Sequence, residues 1–278
     1  MRVPRPLTAP EQAQAKQLWP RMNVGAVIVT DNATPRYNCL AWTLGISTSW
    51  IWPWAKGNVS KADFDNLYRS HGFTPSGSGP VAVFGLNQNA MTHGSISGPG
   101  HGPRWESKCG AWLRIQHGLA EMEGGVLYGN VLGFNSKYGS VNINERLKAM
   151  KTEKLSKSDA KFLKARVQKV SPELKKRFEK LYQAWKEDWN HPLIAVSSNP
   201  VARTQTTSFL ELIALGPEII PLLMEKLLDP DEFFALQAVD RLIRPEFVVC
   251  QEADEPAVLF GEQGRAIETV KQWIRTEA

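Results

Sequence analysis

The stretch Tyr37-Asn38-Cys39-Leu40-Ala41-Trp42-Thr43-Leu44-Gly45 decides how the first half of the chain is read. It follows the turn-forming run Asp31-Asn32-Ala33-Thr34-Pro35. Residues Asn38 to Leu44 read as a helix start that Gly45 closes. Working outward, Val24 to Thr30 reads as a strand and Glu11 to Met22 as a short helix. Downstream, Ser60 is placed to N-cap a helix through Ser70, with Phe64, Leu67 and Tyr68 on one face and Gly72 as its stop. The period then changes. Runs beginning at Pro80, Ala90, Arg104, Trp112 and Val126 are short, apolar and separated by Gly, Pro and Asn, as in a meander of antiparallel strands. Helices followed by a small sheet predict an α+β class for residues 1–142.

Beyond residue 142 the pattern is helical. Residues 143–190 read as a basic helical connector, in which Ser171-Pro172 starts a helix carrying Phe178, Leu181, Tyr182, Trp185 and Trp189 at spacings of three and four. From residue 191 to 278, amphipathic helices are divided by Gly216-Pro217, Pro230 and Pro245. These helix pairs resemble a HEAT-like or armadillo-like fragment, and the resemblance implies a small all-α domain that offers a surface to a protein partner.

Length and composition agree with two folded parts: 278 residues exceed one average core, and 42% hydrophobic residues suffice for packing. No apolar run is long enough to span a bilayer, and the basic N-terminus lacks the apolar stretch of a secretory signal. Cys39, Cys109 and Cys250 are dispersed and odd in number, which is not a disulfide framework. A soluble, cytoplasmic protein without a membrane partner is therefore expected. The net charge of +5 is local: residues 146–190 hold fourteen Lys/Arg against six Asp/Glu, so the flanks together are slightly acidic. Nucleic-acid binding needs aromatics beside that charge, and here they are used on a packing face, so a solvated basic face is the expectation.

The chemistry is read from Cys39 outward. A thiol at a helix N-terminus meets free N–H groups and the positive dipole end, which favours the thiolate. A neighbouring N–H, aided by the Asn38 amide, supplies an oxyanion site. His93, 54 residues on, is the candidate base. A third group must fix its tautomer; Glu106 is the simplest candidate, with Ser107 and His117 as alternatives.

A nucleophilic Cys opening a helix, then His on a small sheet and a polar residue on the next strand, resembles the papain-like cysteine peptidases, above all the compact NlpC-type and CHAP-type amidases. More narrowly, Tyr37 to Gly45, Thr92-His93, Trp105 to Gly110 and Ile115 to His117 are similar to a bacterial domain of that layout. The resemblance covers about residues 30 to 130. It implies a hydrolase acting on an amide, peptide or isopeptide bond, with Cys39 as nucleophile and His93 as base. The alternatives are a papain-like interaction module without activity and nucleic-acid binding through the basic helical connector.

Plainer readings stand beside these. A Cys among apolar residues is often a small buried hydrophobe, and Cys109 reads as structural. Trp42, Trp50 and Trp52, with Trp54, form either a substrate-binding wall or core packing. The Gly-rich loops at 76–80 and 98–103 match no phosphate-binding spacing, and His101 reads as idle. No Cys-x-x-Cys or His-x-x-x-His pair anchors a zinc site, so neither a cofactor nor a metal is expected.

Overall fold

The structure is a computed structural model that describes residues 3–53, 58–97, 104–138, 154–250 and 256–277. Packing divides the chain into two units. The first comprises Met1–Met150, Ala195–Asn199 and Gln251–Leu259; the second comprises Lys151–Ile194, Pro200–Cys250 and Phe260–Ala278. The class is α+β, as the sequence predicts. The units do not follow the three consecutive segments read from sequence, because two short stretches from the C-terminal half pack into the first unit. The basic helices of the connector belong with the C-terminal helices.

In the first unit, strands β1 (Arg5–Pro6), β2 (Ile28–Asp31), β3 (Phe73–Ser76), β4 (Val81–Asn87), β5 (Ala90–Ile96), β6 (Trp105–Lys108), β7 (Arg114–His117) and β8 (Asn130–Lys137) form one sheet. Their order is β1-β2-β7-β6-β5-β4-β8-β3, and neighbours run antiparallel. The meander predicted from residue 80 is present as β4 to β7. Strand β8 leaves it, returning to pair with β4, whose first five residues are buried. The strand expected at Val24 begins only at Ile28, after a 3-10 turn over Val24–Ala26. Strand β3 is an edge strand, which is why Pro75 is tolerated there without a donor for the ladder.

Helix α1 (Ala9–Leu18) starts two residues before the sequence reading, where Thr8 N–H donates to Glu11 Oε2 at 2.8 Å. Helix α2 (Cys39–Thr43) ends at Gly45, whose φ of +79° lets Ile46 N–H reach the Ala41 carbonyl at 2.8 Å. Helix α3 (Lys61–Ser70) carries a capping box in which Ser60 and Asp63 exchange hydrogen bonds. Its Phe64, Leu67 and Tyr68 are buried with α2 in one core cluster, and Phe84, Val29, Ile115, Trp19 and Tyr128 build a second. The two clusters lie on opposite faces of the sheet. Val83, paired with Gly94, belongs to the α2 cluster, whereas Phe84, paired with His93, belongs to the other.

The second unit is helical, over Lys157–Lys169, Pro172–Asp188, Thr207–Ile213, Ile220–Lys226, Leu236–Leu242 and Gly261–Glu277, with short turns between. In helix Pro172–Asp188, Phe178, Tyr182 and Trp185 are buried, with Trp189 just beyond. Lys176, Arg177 and Lys180 face solvent. Trp185 Nε1–H donates to the Arg203 carbonyl at 2.7 Å, and the Arg203 guanidinium lies 3.7 Å from the centre of the Phe234 ring. The basic residues predicted for this segment therefore form an outer face over an aromatic core. Among the described residues, no single helix is long and apolar enough to cross a membrane.

Candidate active site

Asn38 explains why α2 begins where it does. Its Oδ1 accepts from Ala41 N–H and from Ile51 N–H, each at 3.2 Å, and its Nδ2 donates to the Ile51 carbonyl at 2.6 Å. The side chain caps the helix and ties the following loop to it. This corrects the expectation of Asn38 as an oxyanion donor: its amide is fully buried and already committed. The backbone N–H groups next to the sulfur remain the candidate donors.

Cys39 is completely buried. Ser198 Oγ donates to its Sγ at 3.1 Å, and the backbone N–H groups of Gly94 and Leu40 also act on the sulfur. The thiol is nonetheless pushed up to about 11. Burial is the largest cause; the Ser198 hydroxyl, the Gly94 and Leu40 amides and the Lys108 charge pull the other way. The expected thiolate is thus absent at neutral pH, because desolvation of the anion outweighs the dipole of a five-residue helix. Strand β5 pairs with β6 at Ile96 and Glu106, and the Gly94 N–H reaches the sulfur.

His93 immediately precedes Gly94 and projects to the other face, where its ring stacks on Tyr128 with centroids 4.0 Å apart and meets the Phe84 edge. Its Nε2 lies 2.9 Å from Ser107 Oγ. Ser107 Oγ also lies 2.8 Å from His117 Nε2 and 2.5 Å from Ser95 Oγ. His93 Nδ1 is buried and has no hydrogen-bond partner, so no bond joins it to Cys39.

The proton positions follow from counting donors. His117 is fully buried, and burial lowers its pKa to about 4, so the ring is neutral. Its Nδ1 faces the Gly118 carbonyl at 2.8 Å, which only a donor satisfies. His117 Nε2 must then accept, and Ser107 spends its one proton there. Ser107 Oγ accepts from Ser95 and from His93, so His93 carries its proton on Nε2 and presents a bare lone pair at Nδ1. Burial also holds the His93 ring well below its ordinary pKa, hence neutral. The chain of bonds joins His93 to Ser107, with His117 behind it.

Glu106 is not part of that chain. Adjacent residues of a strand face opposite ways, and Glu106 lies on the α2 face, where it accepts from Thr30 Oγ1 and pairs with Arg114 Nε at 3.3 Å. The Arg114 guanidinium sits 3.9 Å from the centre of the Trp42 ring. These residues, with Val3, Pro4, Ile28 and Gln116, line an open groove of about 470 Å³. Of the three tryptophans expected as a substrate wall, Trp42 lines this groove. Trp50 and Trp52 are buried: Trp50 Nε1–H donates to the Ser198 carbonyl at 2.9 Å, and Trp52 packs edge-on against Phe64. Trp54 and His101 lie outside the described residues.

Three groups at this site escape sequence reasoning. Lys108 is buried with its Nζ donating to the carbonyls of Thr34, Gly110 and Trp112 at 3.0, 2.6 and 2.7 Å; burial lowers its pKa to about 7. A lysine between Ser107 and Cys109 in an otherwise inward-facing run was the available signal. Ser95 is signalled only by its alternation with His93. Ser198 lies 159 residues from Cys39 along the chain, and nothing local marks it.

A sequence family described as a domain of unknown function, DUF7689, matches residues 28–136. The match takes in Cys39, His93, Ser107 and His117 and stops short of Ser198. No curated protein and no solved structure matches the chain.

Proposed function

We propose that the first unit is a thiol hydrolase of amide, peptide or isopeptide bonds, in the manner of the papain-like enzymes it resembles. The reading rests on one observation: the Ser107–His117 relay leaves His93 Nδ1 as a buried, unpartnered lone pair, one residue from the N–H that meets the Cys39 sulfur. An unsatisfied buried acceptor costs about 1–3 kcal/mol. In the reaction, which requires the His93 ring to turn toward the α2 face from which it projects away, His93 Nδ1 takes the Cys39 proton as sulfur attacks the substrate carbonyl carbon. The N–H groups of Gly94 and Leu40 receive the developing oxyanion. Collapse breaks the C–N bond, and His93 returns the proton to the leaving amine. Water then attacks the thioester, His93 again acting as base, and releases the acid and the Cys39 thiol.

The test uses p-nitrophenyl acetate as a generic acyl donor. A burst of p-nitrophenolate is expected that Cys39→Ala and His93→Ala abolish and Glu106→Gln leaves in place. A burst that survives Cys39→Ala rules the reading out. Complete burial of Cys39, with no hydrogen bond to His93, favours a second reading, an interaction module that has lost turnover. That reading requires no burst from any form of the chain.

A further inference from the structure

We infer that the segment Ala195–Asn199 lies in the peptide groove of the proposed hydrolase, standing in for an extended peptide substrate and closing the site over Cys39. This rests on the hydrolase reading above. The segment is flanked along the chain by Ile194 and Pro200 of the second unit, yet packs as part of the first. Three of its carbonyls are received by donors of the α+β fold. Ala111 N–H donates to the Ala195 carbonyl at 2.7 Å, Tyr128 Oη–H to Val196 at 2.8 Å and Trp50 Nε1–H to Ser198 at 2.9 Å. Recognition through main-chain acceptors is independent of side-chain identity, which is how an extended peptide is held while its side chains find pockets.

The strap's side chains are placed as a substrate's would be. Val196 is buried in the cluster that contains Cys109 and Trp112, and Ser198 sets its hydroxyl 3.1 Å from the Cys39 sulfur. Tyr128 joins strap and site directly, because the ring that stacks on His93 carries the hydroxyl that holds Val196. Gly110, at φ +53°, permits the close approach: a Cβ there would collide with the Ala195 carbonyl and the Val196 backbone. With the strap in place the thiol is sealed from water, and the same burial keeps it protonated. Lifting Ser198 removes the lid and the desolvation together, and restores the conditions for a thiolate at Cys39.

The experiment measures iodoacetamide alkylation by mass spectrometry in the full chain carrying Cys250→Ser, since Cys250 is exposed and would consume reagent. Buried Cys109 reports on folding. Ser198→Gly and Trp50→Phe each loosen the strap by a different contact, and each is expected to speed Cys39 alkylation at least tenfold and to enlarge the p-nitrophenolate burst, with Cys109 still protected. An acetylated peptide of residues 194–200 is expected to slow that alkylation at least threefold in Ser198→Gly. Unchanged Cys39 alkylation in both folded variants overturns the lid, and no slowing by the peptide overturns the substrate class. Faster alkylation with no Cys39-dependent burst in any form keeps the cover and discards the hydrolase. A full burst in the unaltered chain, unaffected by either variant, keeps the hydrolase and discards the cover.

Discussion

His117 shows how burial at a single residue sets both the chemistry and the pH response of the site. The folded ring resists protonation down to about 4, against an ordinary value of 6.5. Between those values the unfolded chain binds more protons than the folded one, so stability falls as pH falls through this window and is fully present above 6.5. The contribution is on the order of 3 kcal/mol from the size of the shift. His93, also depressed by burial, acts with the same sign. His117→Gln is therefore expected to flatten the loss of stability between pH 7 and pH 4.5 in urea titrations. Equal slopes for variant and parent would contradict the neutral-ring assignment, and with it the proton placement on His93.

Helix α2 is the element on which the site depends, and its two ends call for different tests. At the start, Asn38→Ala deletes the cap and leaves the Ile51 N–H and carbonyl unmatched in a buried loop, an expected cost of about 2–4 kcal/mol by urea denaturation. A cost below about 0.5 kcal/mol would mean that the loop at Ile51 is held by other contacts. At the end, Gly45→Ala meets no atom within 4 Å, so only the φ of +79° opposes it, at about 1 kcal/mol. Both ends were legible in Tyr37 to Gly45, because caps are local. The approach of the Gly94 N–H to the sulfur was not, since it depends on how β5 lies against α2 and not on what either contains.

At the scale of the molecule, the first unit is not the first segment of the chain. Val196, Val258 and Leu259 are buried in its cores, although they lie more than fifty residues beyond position 142. A fragment ending at residue 142, the boundary that composition suggests, lacks all three. It is expected to unfold at lower urea concentration than the first unit of the full chain and to expose Cys39 to alkylation. Equal stability would show that the returning segments are accessories.

Local physics, then, was written in the sequence: helix starts and stops, the meander and the basic outer face. Each depends on neighbours within a few positions or on a period of two or 3.6. The tertiary structure alone set Ser107 and not Glu106 beside His93, because adjacent strand residues take opposite faces and only packing says which face holds His93. It alone buried the thiol, since desolvation is a property of the surroundings, and it alone brought Ser198 across 159 positions to cover Cys39. A sequence records which groups are available, whereas the dielectric and the partners each one meets are set only when distant segments close around it.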